Sequence, residues 1–215
     1  MAITKLKALG VTANTITASQ IANNTITNTQ INASAAIAAS KLGSLSSTVQ
    51  SNLPAGSVLQ VKQSTKTDTQ YIQNTTLQVI TGLDVTITPS SASNKMMLFA
   101  SPSLSGNGHL DAVLQRTVGG TETILFRGDA SGDRTRSHWH QYVVTNFNTS
   151  YEMKSSNMQF LDSPNTTSAI TYKVLAGTPH DASSYFVYVN RQASDGSAAW
   201  AATTASTFTV MEIKG

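Results

Sequence analysis

His138 and His140, separated by Trp139, are the two side chains best spaced for chemistry. In a strand, residues i and i+2 share a face, so both imidazoles would point the same way. One chain then offers two nitrogen ligands, too few to close a metal site. Three chains about an axis would bring six together, enough for an octahedral transition-metal cage. The plain alternative is a pair of hydrogen-bonding histidines on a surface. Just upstream, residues 128–136 (GDASGDRTR) hold two aspartates and two glycines. They lack the order of an EF-hand loop and its closing bidentate Glu, so a polar turn between strands is expected. Asp129 would then be free to pair with Arg134 or Arg136 at a subunit contact.

Nothing in the chain nominates a catalytic centre. The nucleophile elbow, the zinc-protease helix, the P-loop and the dinucleotide glycine pattern are all missing. Serines and histidines are numerous enough to assemble a triad on paper, which makes such a match uninformative. Cleaving a polysaccharide needs two carboxylates across a sugar cleft, and no pair stands out among 11 acidic residues. The absence of cysteine excludes a disulfide framework, a thiolate zinc site and a cysteine nucleophile. The expectation is therefore a non-enzyme without a cofactor. Trp139, Tyr151 and Trp200 are candidates for receptor or interface contacts, because amphipathic aromatics anchor interfaces. Core packing is the alternative for each.

The elements that must position these residues come in two kinds. In the first 56 residues the signal is repetition. Residues 14–21 read NTITASQI, and residues 24–31 read NTITNTQI. Ile16, Ile21, Ile26 and Ile31 thus recur every five residues, and Val11 extends the ladder backwards. Five is neither the helical period of 3.6 nor the strand period of two. A lone chain with one large apolar residue in five cannot bury a core. Three copies around a common axis can, each giving one residue to an axial layer. Thr and Asn favour turns and extended backbone, so the expected shaft is β-like rather than helical. A flexible Thr/Asn linker is the alternative.

An alanine-rich stretch follows over residues 33–42, and Leu42, Leu45, Val49 and Leu53 then recur at three- and four-residue steps. That spacing makes one helical face of about three turns, ended by Pro54 and Gly56. So short a helix needs a partner face, supplied either by copies of itself or by its own globular part.

From residue 57 onward the signals are all β. Strands are expected over 57–63, 75–80, 84–88, 95–101, 110–116, 122–127, 138–144, 159–161, 168–175, 184–190 and 206–213. Gly, Pro, Asn and Ser clusters separate them, a spacing that predicts an antiparallel β-sandwich or jelly roll. The expected organisation is a mainly β chain with an N-terminal segment 1–10, a stalk and short helical neck over 11–56, and a knob over 57–215.

Composition narrows the partners. Only 12% of the 215 residues are charged, while Ser, Thr and Asn make up about a third. The pI of 9.2 rests on a net charge of only +3. Lys and Arg are scattered, so nucleic acid is not an expected partner. No apolar run approaches the roughly 18 residues of a membrane-spanning helix, and the first ten residues do not read as a secretory signal.

The repeats over 14–31, followed by AAIAASKL at 35–42, resemble the stalk repeats of bacteriophage fibre proteins, in the style of phages of marine bacteria and cyanobacteria. Residues 56–61, 64–69, 85–95, 161–164, 171–174 and 206–213 are similar to the knob that follows such stalks. The resemblance implies a homotrimeric virion protein with a β-sandwich knob whose tip meets a host surface glycan or protein. It implies docking on other virion proteins through the N-terminus, where Lys5 and Lys7 lie among apolar neighbours. The stalk begins almost at Met1, which leaves little room for a long tail-attachment domain and keeps tail, baseplate and capsid open. A capsid-attached head fibre or decoration protein, and a short polysaccharide-active tailspike, are the alternative readings.

Overall fold

A computed structural model describes residues 53–144, 152–194, 199 and 201–215, together with 21, 26 and 31. The chain divides into two units, Met1–Val49 and Gln50–Gly215. In the first, Ile21, Ile26 and Ile31 are 38%, 55% and 41% exposed. Val11, Ile16, Leu42, Leu45 and Val49 lie outside the described residues, so the shaft and helical neck stand as expectations. Leu53 is half-buried, and its carbonyl accepts a hydrogen bond from the Lys214 ammonium.

The second unit is mainly β. Among the described residues there is no helix, and every strand pairing is antiparallel. In chain order the strands begin with β1 (Val58–Lys66), β2 (Gln70–Ile72), β3 (Gln78–Ile87), β4 (Lys95–Ser101), β5 (Ser103–Val118) and β6 (Thr121–Leu125). They continue with β7 (Trp139–Val143), β8 (Lys154–Ser155), β9 (Met158–Asp162), β10 (Ile170–Gly177), β11 (Phe186–Val189) and β12 (Ser206–Ile213). One sheet runs β1-β12-β4-β9, and the other β2-β11-β5-β10-β3. Strands β6, β7 and β8 also pair with β5.

Period-two patterning explains which faces are buried. Along β12, Ser206, Phe208, Val210 and Glu212 are buried and the residues between them half-buried; in β4, Met96, Leu98 and Ala100 play the same part. Phe208, Val210, Met96, Leu98 and Ala100 join Ile80, Leu83, Ile87, Leu110, Leu114, Ile170, Tyr172 and Val174 from the other sheet in one hydrophobic cluster. Burying a side chain such as Phe208 contributes about 2 kcal/mol.

Two expected strands, 75–80 and 84–88, are one. Thr81 and Gly82 read as a turn in sequence, yet they lie inside β3 at a bulge, where the register to β10 jumps from Asp84 opposite Lys173 to Val79 opposite Leu175. Gly82 sits at φ +79°, which glycine adopts without a Cβ penalty. Strand β5 also starts seven residues earlier than the expected 110.

Among the polar groups that alternation drives inward, Glu212 is satisfied by neutral donors. Glu212 accepts from Asn94 Nδ2 at 2.6 Å, Gln60 Nε2 at 2.6 Å, Ser90 N at 2.7 Å and Ser90 Oγ at 2.8 Å. Burial pushes its carboxyl up, but these bonds outweigh burial and hold it below the ordinary value. Across the sheets, Arg116 on β5 meets Asp162 on β9 at 2.8 and 2.9 Å, and the Tyr172 hydroxyl on β10 donates to Asp162 at 2.7 Å. Burial first, then the bond to Asp162, raises the Tyr172 hydroxyl's proton affinity, so it remains a donor.

Asp162 thus holds the two sheets together through both partners. Asp162→Ala strands the Arg116 guanidinium and the Tyr172 hydroxyl, and should lower stability by about 3 kcal/mol. Tyr172→Phe removes one bond only and should cost about 1 kcal/mol. Urea unfolding midpoints of the two variants check this ranking; equal losses would contradict it.

Candidate functional site

The residues that come together in the described part of the chain are not the pair that sequence spacing singles out. Strand β7 begins at Trp139, so His138 stands one position ahead of it and its backbone N–H donates to Ala112 O. The His138 ring meets the Phe126 ring edge-on at 5.1 Å, and its Nδ1 is buried without a hydrogen-bond partner. His140 instead lies beside Asp111 and His109. His138 thus lies just before the strand and His140 within it, and their rings meet different neighbours. Among the described residues, no group of three His, Asp or Glu side chains is placed to hold a metal ion.

Trp139 takes the packing role. It pairs with Ala112 and is half-buried against the core, because alternation turns it away from the face that His140 and Tyr142 occupy. Tyr151 and Trp200 lie outside the described residues. In the 128–136 turn, Arg136 Nε donates to the Gly128 carbonyl at 2.6 Å and closes the loop on itself.

What β7 does build is one wall of an open cavity of about 360 Å³. Its floor comes from antiparallel register: His109 on β5 lies opposite Tyr142 on β7, and Asp111 lies opposite His140. The turn after β6 contributes Asp133, Arg134 and Thr135. The segment between β10 and β11 contributes His180, whose ring stacks with that of Tyr185 outside the lining at 6.4 Å between centroids. Three of the chain's four histidines therefore meet in one place.

The Asp111 carboxylate, only 2% exposed, lies 3.1 Å from His140 Nδ1. A carboxylate accepts only, so the His140 Nδ1–H donates to it, and Nε2 faces His109 Nδ1 at 3.4 Å. The His109 ring is flanked by Tyr142 at 4.5 Å and crossed edge-on by His180 at 4.9 Å. Burial, then the neighbouring His140 and His180, lower the proton affinity of His109; Asp111 opposes them. The imidazole is thus biased to its neutral form, with one donor and one acceptor nitrogen.

Glycine makes room for this arrangement. At Gly108, with φ +82°, an added Cβ would lie 2.2 Å from the Tyr185 ring. The ring rests on bare backbone, which fixes it next to His109, 6.0 Å between centroids.

Sequence reasoning missed His109, Asp111, His180 and Tyr185 as site residues. One signal was present: an aspartate inside the apolar run that follows Leu110 must find a hydrogen-bond donor if the run is buried. No protein-family model matches the chain, and no curated protein sequence matches it.

The histidines predict a pH dependence. His138 is held below its ordinary proton affinity by burial, and His109 by burial and like charge. Below the unfolded value of 6.5 the unfolded chain binds protons that the native imidazoles resist, so stability falls as pH falls. The melting temperature should drop between about pH 7.5 and pH 5.5. His138→Leu removes a buried, unpaired nitrogen and one resisting imidazole, so it should flatten the profile without loss of stability at neutral pH. A melting profile unchanged by His138→Leu would contradict this assignment.

Proposed function

We propose that this chain is a structural fibre protein of a bacteriophage particle. It works as a homotrimer, attached to the tail or baseplate through residues 1–10 and other virion proteins, and contributes to adhesion at the host surface. Residues 11–56 form the stalk and neck, and residues 57–215 a jelly-roll-like knob. The observation that carries this reading is the isoleucine ladder: Ile21, Ile26 and Ile31 stand five residues apart, each more than a third exposed in the single chain. An evenly spaced apolar row that one chain leaves in water calls for a partner of the same period, and identical copies in register supply it.

The knob fits the same division of labour. It carries its own two-sheet core, so folding of residues 57–215 does not depend on the ladder. Its polar surface, poor in charge, suits contact with uncharged host material rather than with nucleic acid. Three copies on one stalk make weak single contacts strong through effective concentration.

Light scattering coupled to size exclusion tests the reading. The full chain should give a mass near three times 22.7 kDa with an elongated profile. Ile21→Asn combined with Ile26→Asn should weaken the assembly and leave the knob's melting transition in place. A monomer mass for the unaltered chain, or a double variant that assembles and melts like it, would overturn the axial-layer reading.

A further inference from the structure

We propose that the cavity between β5, β7, the 128–136 turn and the β10–β11 segment binds one uncharged pyranose unit of a surface polysaccharide. That the sugar belongs to a host cell rests on the adhesive-fibre reading above. The pocket's chemistry stands by itself.

Four features select this ligand class. First, a volume of about 360 Å³ lies within the usual range for small-molecule sites, roughly 300–1,000 Å³. Second, the lining groups suit hydroxyls. Thr135 presents a donor and an acceptor, and the imidazoles of His109, His140 and His180 add ring nitrogens. A sugar edge carries adjacent hydroxyls that need both. Third, the charge count turns anionic ligands away: two carboxylates, Asp111 and Asp133, stand against a single guanidinium, Arg134. A phosphate or an acidic sugar would be attracted by a cluster of cations instead.

Fourth, aromatic rings border the polar groups. Tyr142 is 54% exposed beside His109, and Tyr185 sits on the Gly108 backbone. A pyranose has one face of C–H bonds that packs on such a ring while its rim hydroxyls reach polar partners. Much of the geometry is set before binding. Asp111 orients His140, and Gly108 seats Tyr185, so little side-chain freedom remains to be lost. The exposed positions of His140, His180, Asp133, Arg134 and Thr135 leave the mouth accessible to one unit of a longer chain.

Saturation-transfer NMR on the full-length protein tests the proposal. The probes are methyl glycosides of glucose, galactose and N-acetylglucosamine, beside glucuronic acid and N-acetylneuraminic acid, all with EDTA present. At least one neutral glycoside should receive saturation, with an affinity in the millimolar range expected of a small shallow site. Tyr142→Ala, at an exposed position, should weaken that binding about tenfold. Phe126→Ala, at an exposed aromatic outside the cavity, should leave it unchanged. Silence from every neutral glycoside would overturn the proposal. So would binding confined to the acidic sugars, binding that requires a divalent metal in place of EDTA, or binding indifferent to Tyr142→Ala. The mass measurement decides the fibre reading separately: a trimer without sugar binding sinks only the pocket, and a sugar-binding monomer sinks only the fibre.

Discussion

Strand β5 is the constraint on which the rest of the second unit depends. Its 16 residues carry backbone donors and acceptors on both edges, and the buried ones must be paired. One edge is taken by β11 and then β10, the other by β8, β7 and β6 in turn. Five separate segments therefore converge on one strand, and their order along it decides which loops meet. The cavity lies where β7 covers positions 108–112 of β5. Glycine at 106 and 108 is part of the same constraint. A Cβ at Gly106 would lie 2.1 Å from the Phe186 carbonyl oxygen, so β11 and the segment before it close on β5 only because those side chains are missing.

A second physical theme is how a chain with few charges uses neutral side chains to pair buried polar groups. Asn190 shows the method. At φ +61° its backbone turns out of β11, and its Nδ2 donates to the carbonyls of Lys66 and Asp68 at 2.9 and 3.0 Å. Its Oδ1 accepts from Ser206 Oγ at 2.6 Å, and that hydroxyl in turn accepts from Ser103 N at 2.9 Å. One amide and one hydroxyl thus join the ends of β1, β5, β11 and β12. Neutral groups suffice here because each has both donor and acceptor atoms and none carries the desolvation cost of an ion. The high Ser, Thr and Asn content is therefore partly internal architecture as well as surface.

Legibility in the sequence follows how local the cause was. Strands β4 and β12 lie where alternation places them, 95–101 and 206–213, because a one-sided pattern bounded by loop residues needs no distant information. Strand β5 was legible only from Leu110 onward. Its first part, rich in Ser, Gly and Asn, has turn composition, and only pairing with β11 and β8 makes it a strand. The short β2 and β8 carry too few residues to show any period. Of the cavity, His140 was visible as a spaced histidine, but its partners were not. His109 and Asp111 meet it through strand register, and His180 arrives on a connection whose path no local pattern dictates.

These threads meet in the balance between affinity and number. A shallow cavity that meets an uncharged ligand through hydrogen bonds gains little from each contact, because water competes for the same bonds. An uncharged ligand brings no charge for salt to screen, so its binding is also little affected by ionic strength. Such a site becomes an effective adhesive only when several copies act on one surface. On the fibre reading, a ladder of Ile21, Ile26 and Ile31 supplies the copies and the β-rich unit supplies the weak contact. Neither half would be an adhesive alone: the ladder has no recognition chemistry, and the cavity has too little binding energy to hold a particle in place. The same logic accounts for the low charge. On that reading a strongly charged knob would bind ions and polyelectrolytes indiscriminately, whereas one built on hydroxyls, amides and imidazoles would reserve its contacts for partners that match them in geometry.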